Sequence, residues 1–256
     1  MFKIATWNIN SINAHLHLVK EFIEKRMPDV VAFQETKIED KNFPAEIFYE
    51  MGYNSVFKGQ KAYNGVAILS KKDIDYFEKN FKEIEGEDKR ILLVEVNGIK
   101  IINAYFPHGK MIDSYQFEFK INFIEKLMTY IKKNFLPDEN LLLVGDFNVA
   151  TEEKDVYAPE ILQYSIGFSM EERKAIKELY KMGFTDIFRL HNKNSGEYTW
   201  WNYQSNSFRR NVGMRIDYIW ARGKIANRSK NCFIDKEFRA KYKPSDHAPV
   251  IAEFKI

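Results

Sequence analysis

Leu141-Leu142-Leu143-Val144-Gly145-Asp146-Phe147-Asn148 opens with four aliphatic residues that show no helical periodicity. Such a run reads as a strand buried on both faces. Gly145 lets the backbone turn, and a carboxylate and an amide, Asp146 and Asn148, arrive together at the strand's end. In α/β proteins the crevices outside the carboxyl ends of strands are where ligands bind. Alone, Gly-Asp-Phe-Asn is as readily a plain turn. The weight comes from recurrence of the same arrangement along the chain.

Residues 2–9 read as a strand ending in Trp7-Asn8, followed by a helix over 15–27 with Leu16, Val19, Phe22 and Ile23 on one face. Residues 30–33 form a second buried strand that ends in Gln34-Glu35. Asn64-Gly65 turns into a strand over 66–69, and Asn97-Gly98 predicts a hairpin between 91–96 and 100–105. A long helix spans 114–134, with Phe117, Ile121, Ile124, Met128 and Ile131 at helical spacing. Ser169-Met170-Glu171-Glu172 is a capping box that starts a helix stopping at Gly183. Residues 198–203 and 215–221 and a last strand over 250–254 complete the reading. Strands and helices alternate with hairpins mixed in, without linker or repeat. That pattern predicts mixed sheets with helices outside them, in one domain over 1–256.

The 256 residues can bury a substantial core, and a net charge of +3 permits a polyanionic partner without requiring one. The single Cys232 excludes an internal disulfide framework and fits a reducing compartment. Met1-Phe2-Lys3-Ile4 enters a strand directly, and no apolar run approaches membrane-spanning length. A cytoplasmic location without a membrane partner is expected.

The polar residues stranded at the ends of apolar runs are Asn8, Glu35, Tyr105, Asp146, Asn148, Asp217 and the Ser245-Asp246-His247 triplet. Burial there is costly without a partner. Singly, Asn8 could cap a turn, Glu35 could begin a loop and Asp217 could be a satisfied core acid. Together they make a chemical set. Hard oxygen donors with one or two carboxylates suit Mg²⁺. There is no Cys/His spacing for zinc, no Gly-Lys-Ser/Thr phosphate loop and no Gly-x-Ser-x-Gly elbow. Carboxylates, amides, one histidine and a hard metal describe hydrolysis of a phosphate ester by activated water.

Trp7-Asn8, Gln34-Glu35-Thr36-Lys37, Tyr105-Phe106-Pro107, Gly145-Asp146-Phe147-Asn148-Val149, Asn211-Val212-Gly213-Met214-Arg215-Ile216-Asp217 and Ser245-Asp246-His247 run in a set order along the chain. In that order and spacing the chain resembles the exonuclease III-type apurinic/apyrimidinic endonucleases, essentially end to end. The resemblance implies a deoxyribonuclease I-like fold, a four-layered α/β sandwich of two packed mixed sheets flanked by helices. Many members of the wider superfamily carry a histidine motif where this chain has Tyr105-Phe106-Pro107, and that difference points to the DNA-repair branch.

Residue roles follow from the same resemblance. Glu35 is implied as principal metal ligand, with Asn8 and Asp246 near the metal and Asp146, Asn148 and His247 close enough to contribute. Asp146 positions and deprotonates the attacking water, and Asn148 orients it. His247 contacts the scissile phosphate, Asp217 fixes its tautomer, and Tyr105 hydrogen-bonds the phosphate or assists the leaving oxygen. How the general-base role divides between Asp146 and His247 stays open. Trp200, Met214 and Ile216 align with the pocket for a flipped-out abasic sugar. Lys37, Lys110, Arg209, Arg210 and Arg215 are candidates for tracking DNA phosphates.

The expected activity is Mg²⁺-dependent incision 5′ to abasic sites in double-stranded DNA, with Mn²⁺ as a substitute metal. Weaker 3′→5′ exonuclease and 3′-end trimming accompany it, in a monomer. The alternatives are hydrolysis of RNA or a small phosphate ester by the same machinery, and a DNA-binding module without catalysis. Four residues depart from the family pattern. Asn13 replaces an Arg, His108 an Asn or Gln, Ala158 an Asn, and Met214 a Trp or Phe.

Overall fold

The computed structural model describes residues 1–256. In chain order its strands are β1 (Phe2–Asn8), β2 (Val30–Gln34), β3 (Asn54–Lys58), β4 (Val66–Ser70), β5 (Tyr76–Glu78), β6 (Ile91–Val96), β7 (Ile99–Tyr105), β8 (Leu141–Asp146), β9 (Thr185–Asp186), β10 (Asp217–Arg222), β11 (Ser229–Ile234) and β12 (Val250–Phe254). The helices are α1 (Leu16–Arg26), α2 (Ala45–Glu50), α3 (Lys82–Glu85), α4 (Tyr115–Asn134), α5 (Pro159–Leu162), α6 (Met170–Lys181), α7 (Ile187–His191) and α8 (Lys236–Arg239). No helix is long and apolar enough to cross a membrane.

The strands form two six-stranded mixed sheets, ordered β11-β12-β1-β2-β4-β3 and β5-β6-β7-β8-β10-β9. Every residue of β8 is buried. Leu142 and Val144 point into the core between the sheets, where they meet Ile4, Val30, Ile68 and Ala252. Leu141 and Leu143 point the other way, onto Ile124, Leu127 and Ile131 of α4 and Ile176 of α6. This two-sided burial is why the run is continuously aliphatic rather than alternating. On the outer face of the first sheet, α1 lays Leu18, Val19, Phe22 and Ile23 over Ala5, Trp7, Val31 and Phe33, with Phe238 of α8 beside them. The order is helices, sheet, sheet, helices, the expected four-layered α/β sandwich.

The helix signals behave as their chemistry dictates. Ser114 caps α4 by accepting from the Phe117 amide, and Ser169 and Glu172 complete the reciprocal box at the start of α6. Residues 198–203 depart from the strand reading. They make only single bridges, from Trp200 to Met214 and to His247, because the segment threads between two site loops instead of joining a sheet.

Candidate active site

Strand register brings the polar ends together. In one sheet parallel β1 and β2 end side by side, with Asn8 opposite Gln34 and Glu35 next along the chain. In the other, Tyr105 at the end of β7 lies opposite Asp146 at the end of β8. Antiparallel β10 begins there, with Asp217 opposite Asp146. Gly145 is required at this spot: its φ is +139°, and a Cβ would lie 1.9 Å from the Ala104 carbonyl oxygen. Glu35 and Asn148 both hold left-handed backbone, φ 51° each, which costs of order 1 kcal/mol or more and clusters at functional sites.

Asn8 ties the two sheets. Its amide donates to Glu35 Oε1 at 2.8 Å and to Asp146 Oδ2 at 2.9 Å. Asp146 Oδ1 accepts the Asn148 backbone N–H at 2.8 Å, and the Asn148 side chain donates to the Phe106 carbonyl at 2.9 Å. His247 Nδ1 sits 2.9 Å from Asp217 Oδ2, and its Nε2 faces Asp146 Oδ2 at 3.8 Å. Thr199 Oγ1 accepts the backbone N–H groups of Ile216 and Asp217 and fixes the start of β10.

Charges in this buried cluster shift one another. Burial pulls His247 toward neutrality, but the carboxylates of Asp217 and Asp146 outweigh it and raise its pKa to about 10. Burial raises Asp146, and the Asp217 charge adds to that against the opposing pull of His247, so it is pushed up to about 7. Burial also pushes Tyr105 well above the usual phenol range, with Glu35 and Asp146 acting in the same direction, so it remains a neutral hydrogen-bond donor. For Glu35, burial is the largest influence, yet Lys37, Asn8 and His247 together hold it below its ordinary value.

Two groupings could attract a cation. Asp146, Asp217 and His247 offer ligand atoms all within 4.8 Å of one another, but Asp217 Oδ2 and His247 Nδ1 already hold each other. That set is better read as a pair of carboxylates that keeps His247 cationic. The second grouping is Glu35 with Asn8 and, across the cleft, Asp246. All three offer hard oxygens. The Lys37 ammonium lies 2.7 Å from Glu35 Oε2, a cation standing where positive charge is needed. The donor set therefore fits a hard divalent ion.

Asp246 is oriented by Asn10, which no sequence pattern marks, and by Trp200, which was expected only as a wall of the sugar pocket. Asn10 Nδ2 donates to its Oδ1 at 3.0 Å, and Trp200 Nε1 donates to its Oδ2 at 3.0 Å. Ser245 Oγ donates to the Asn8 carbonyl at 2.7 Å and fastens the triplet to β1. Met214 and Ile216 pack with Ala150, Val156 and Phe168, and half-buried Trp200 and Leu162 close the group beside the polar cluster. Gly167 lies behind it, its missing Cβ 3.4 Å from Met214 Cε.

Of the candidate DNA contacts, Arg209, Arg210 and Lys110 are exposed on loops, while Lys37 is engaged with Glu35. Arg215 is a correction: it is fully buried and cannot reach a phosphate. Its guanidinium pairs with Asp155 at 2.7 Å and Asp186 at 2.8 Å, and Arg189 also binds Asp155. Asp155→Asn should lower stability by about 3–5 kcal/mol, because it leaves two buried guanidinium groups short of a counter-charge. In thermal unfolding that corresponds to a Tm drop of about 6–20 °C. Burial opposes ionisation of Asp155, but Arg215 and Arg189 hold its pKa below the ordinary value. Its contribution is thus present above the unfolded-state value near ~3.9 and lost as pH falls through the folded one. The acid limb of the wild-type stability curve should flatten in the variant; an unchanged limb and Tm would refute this account.

Residues 5–247 match the model of the Endonuclease/Exonuclease/phosphatase family. Exodeoxyribonuclease III of Haemophilus influenzae is 34% identical over 266 residues, which cover 99% of this chain and 100% of the relative. The structure of an AP endonuclease from Archaeoglobus fulgidus superposes with a TM-score of 0.97 at 35% identity, over 100% of both chains. The 3′ phosphatase NExo from Neisseria, solved bound to a product DNA hairpin, superposes with a TM-score of 0.96 at 34% identity, again over 100% of both. With these matches over a cluster of carboxylates, amides and one histidine, the chain belongs to the Endonuclease/Exonuclease/phosphatase family, as a hydrolytic nuclease of the exodeoxyribonuclease III and AP endonuclease type.

Proposed function

We propose that this protein is a Mg²⁺-dependent DNA repair enzyme that hydrolyses the phosphodiester 5′ to an abasic site in duplex DNA and leaves a 3′-hydroxyl. Weaker 3′→5′ exonuclease and 3′-end trimming accompany this, and the enzyme acts as a cytoplasmic monomer. The observation that carries the reading is Trp200, whose indole N–H holds Asp246 in the polar cluster while its ring closes the apolar hollow of Met214 and Ile216. A phosphate at the cluster would place its neighbouring sugar at the hollow. An apolar hollow accepts a baseless deoxyribose, and flipping is cheapest where no base is stacked or paired.

Glu35, Asn8 and Asp246 would hold Mg²⁺. The ion supplies charge neutralisation at the phosphate and lowers the pKa of bound water. Asp146, poised near neutrality, accepts the proton of the attacking water. Asn148 orients that water, cationic His247 stabilises charge developing on the phosphate, and Tyr105 donates toward it.

The test is incubation with Mg²⁺ and matched duplexes, one of which carries a tetrahydrofuran abasic analogue. Cleavage confined to the lesion, with slower loss of 3′ nucleotides, is expected. Binding without cleavage would favour a binding module, and turnover of RNA or a small phosphate ester without DNA cleavage would favour the other superfamily chemistry.

Met214 is flexible where a flat aromatic ring would be rigid, so the hollow can yield to other 3′-terminal shapes. Met214→Trp should raise the ratio of abasic incision to exonuclease rate on duplexes of one sequence, and an unchanged ratio would remove Met214 from the substrate wall. Affinity should fall with salt at a log–log slope of about −0.9 per phosphate contact. Arg209→Ala or Arg210→Ala should flatten that slope by about one unit, measured by titration from low to physiological salt. Slopes unchanged in both would take this loop out of the interface.

A further inference from the structure

Beneath the site lies an ion pair that the chemistry above does not use. Lys120, on the inner face of α4, and Glu172, in the first turn of α6, are both fully buried. The Lys120 ammonium pairs with Glu172 Oε1 and also donates to the carbonyls of Asn148 at 2.8 Å and His108 at 3.1 Å. Glu172 accepts the backbone N–H of Gly167 at 2.9 Å and that of Ser169 at 3.0 Å. The Gly167 carbonyl in turn accepts from the Ala150 amide at 2.8 Å. The pair therefore touches three loops at once. One follows Tyr105 and carries His108, one follows Asp146 and carries Asn148, and one carries the wall behind Met214.

We propose that the Lys120–Glu172 pair is a positioning unit that fixes Asn148 and the loop after Tyr105 against the reacting phosphate. The inference rests on the nuclease reading above. Burying two charges is an expensive way to stabilise a core, and well-packed apolar residues often do as well or better. An apolar pair, however, supplies no donors for two converging carbonyls. Asn148 is where such a hold matters, because its left-handed backbone is strained and its side chain must be aimed. Misplacement by about 1 Å can cost about 10²-fold in rate. Lys120 holds the carbonyl of Asn148 while Asp146 holds its N–H, so the residue is clamped from both sides.

The experiment compares Lys120→Met, Glu172→Gln and the double variant, all assayed well below their Tm. Glu172→Gln keeps one acceptor oxygen, in the place of the Oε2 that takes both the Gly167 and Ser169 N–H groups, and leaves Lys120 on its carbonyls, so Tm should fall while the single-turnover rate stays within about threefold of wild type. Lys120→Met should lose Tm and about 10–100-fold in rate at unchanged KM. The double variant, freed of unpaired charge, should recover Tm and not rate. The Mg²⁺ concentration for half-maximal rate should stay fixed in all three, since Glu35, Asn8 and Asp246 lie outside the clamp. A readout independent of turnover is hydrogen exchange at the Asn148 amide, which should quicken about tenfold or more in Lys120→Met and the double variant and not in Glu172→Gln. If Lys120→Met does not fold, Lys120→Gln, too short to span both carbonyls, takes its place with the same expectations. Rates that simply track Tm, or a double variant with wild-type rate and exchange, overturn the proposal. Failure of wild type on the abasic duplex would instead overturn the abasic-incision reading, and the exchange measurement would still decide the role of Lys120.

Discussion

Asp146→Asn is expected to lower the single-turnover incision rate by about 10²–10⁴-fold, the usual contribution of a positioned acid–base group. The substitution keeps volume and shape. It removes the charge that accepts from Asn8 and from the Asn148 N–H, since an amide has one acceptor where the carboxylate has two. The wild-type rate should rise with pH along an acid limb well above the ordinary Asp value of ~3.9, because burial and Asp217 push this carboxyl up to about 7. In the variant that limb should vanish, since nothing at this position is left to ionise. Rapid-quench rates across pH 5–9 with Mg²⁺ test both statements. A variant retaining more than about a tenth of the wild-type rate would mean that another group, with His247 the nearest, activates the water.

The layout of this site was legible because β-sheet register is a local rule with distant consequences. Parallel strands β1 and β2, and β7 and β8, each end in polar residues, and parallel neighbours in register deliver those ends to the same edge. Antiparallel β10 arrives from the opposite direction, so its functional residue, Asp217, stands at its start, two residues later than the start of the segment over 215–221 read from the sequence. Arg215 defeated the same reasoning. Its counter-ions Asp155 and Asp186 lie 60 and 29 residues away, and no local pattern announces that pairing. A basic residue two positions from a catalytic one therefore read as a phosphate contact.

Residues 198–203 failed for a related reason. Their aromatic content matches strand chemistry, yet their backbone groups are taken up singly, by Met214 on one side and by Asp246 and Thr199–Ala248 contacts on the other. Edge strand β11 escaped notice because half of it faces solvent, which leaves Ser229-Lys230-Asn231 without an apolar alternation. Lys120 and Glu172 were visible only as a helix residue and as half of a capping box. That the two meet is a property of how α4 packs beside α6, which periodicity does not encode.

Asp217→Asn should be almost as damaging as loss of His247, although Asp217 touches no substrate in this scheme. Its carboxylate is the nearest counter-charge to the imidazole, at 2.9 Å from Nδ1, and its backbone is pinned by Thr199, so it fixes both the proton on Nδ1 and the ring's direction. An amide at this place can present its NH₂ group to Nδ1, which stabilises the tautomer with the proton on Nε2 and removes the charge that favours the imidazolium. NMR titration of the metal-free protein should give a His247 pKa of about 10 in wild type and a value well below it in Asp217→Asn, where Asp146 is left as the main counter-charge. A pKa raised above the unfolded value of ~6.5 stabilises the fold fully below that pH, and the gain fades as pH rises through the folded value. The variant should therefore lose stability at pH 6 and much less at pH 10. The incision rate at pH 7.5 should fall by about 10²–10⁴-fold, since both the cationic form and its aim are lost together. An unchanged titration with a lost rate would assign Asp217 a role in orientation alone; an unchanged titration and an unchanged rate would take His247 and its partner out of the chemistry.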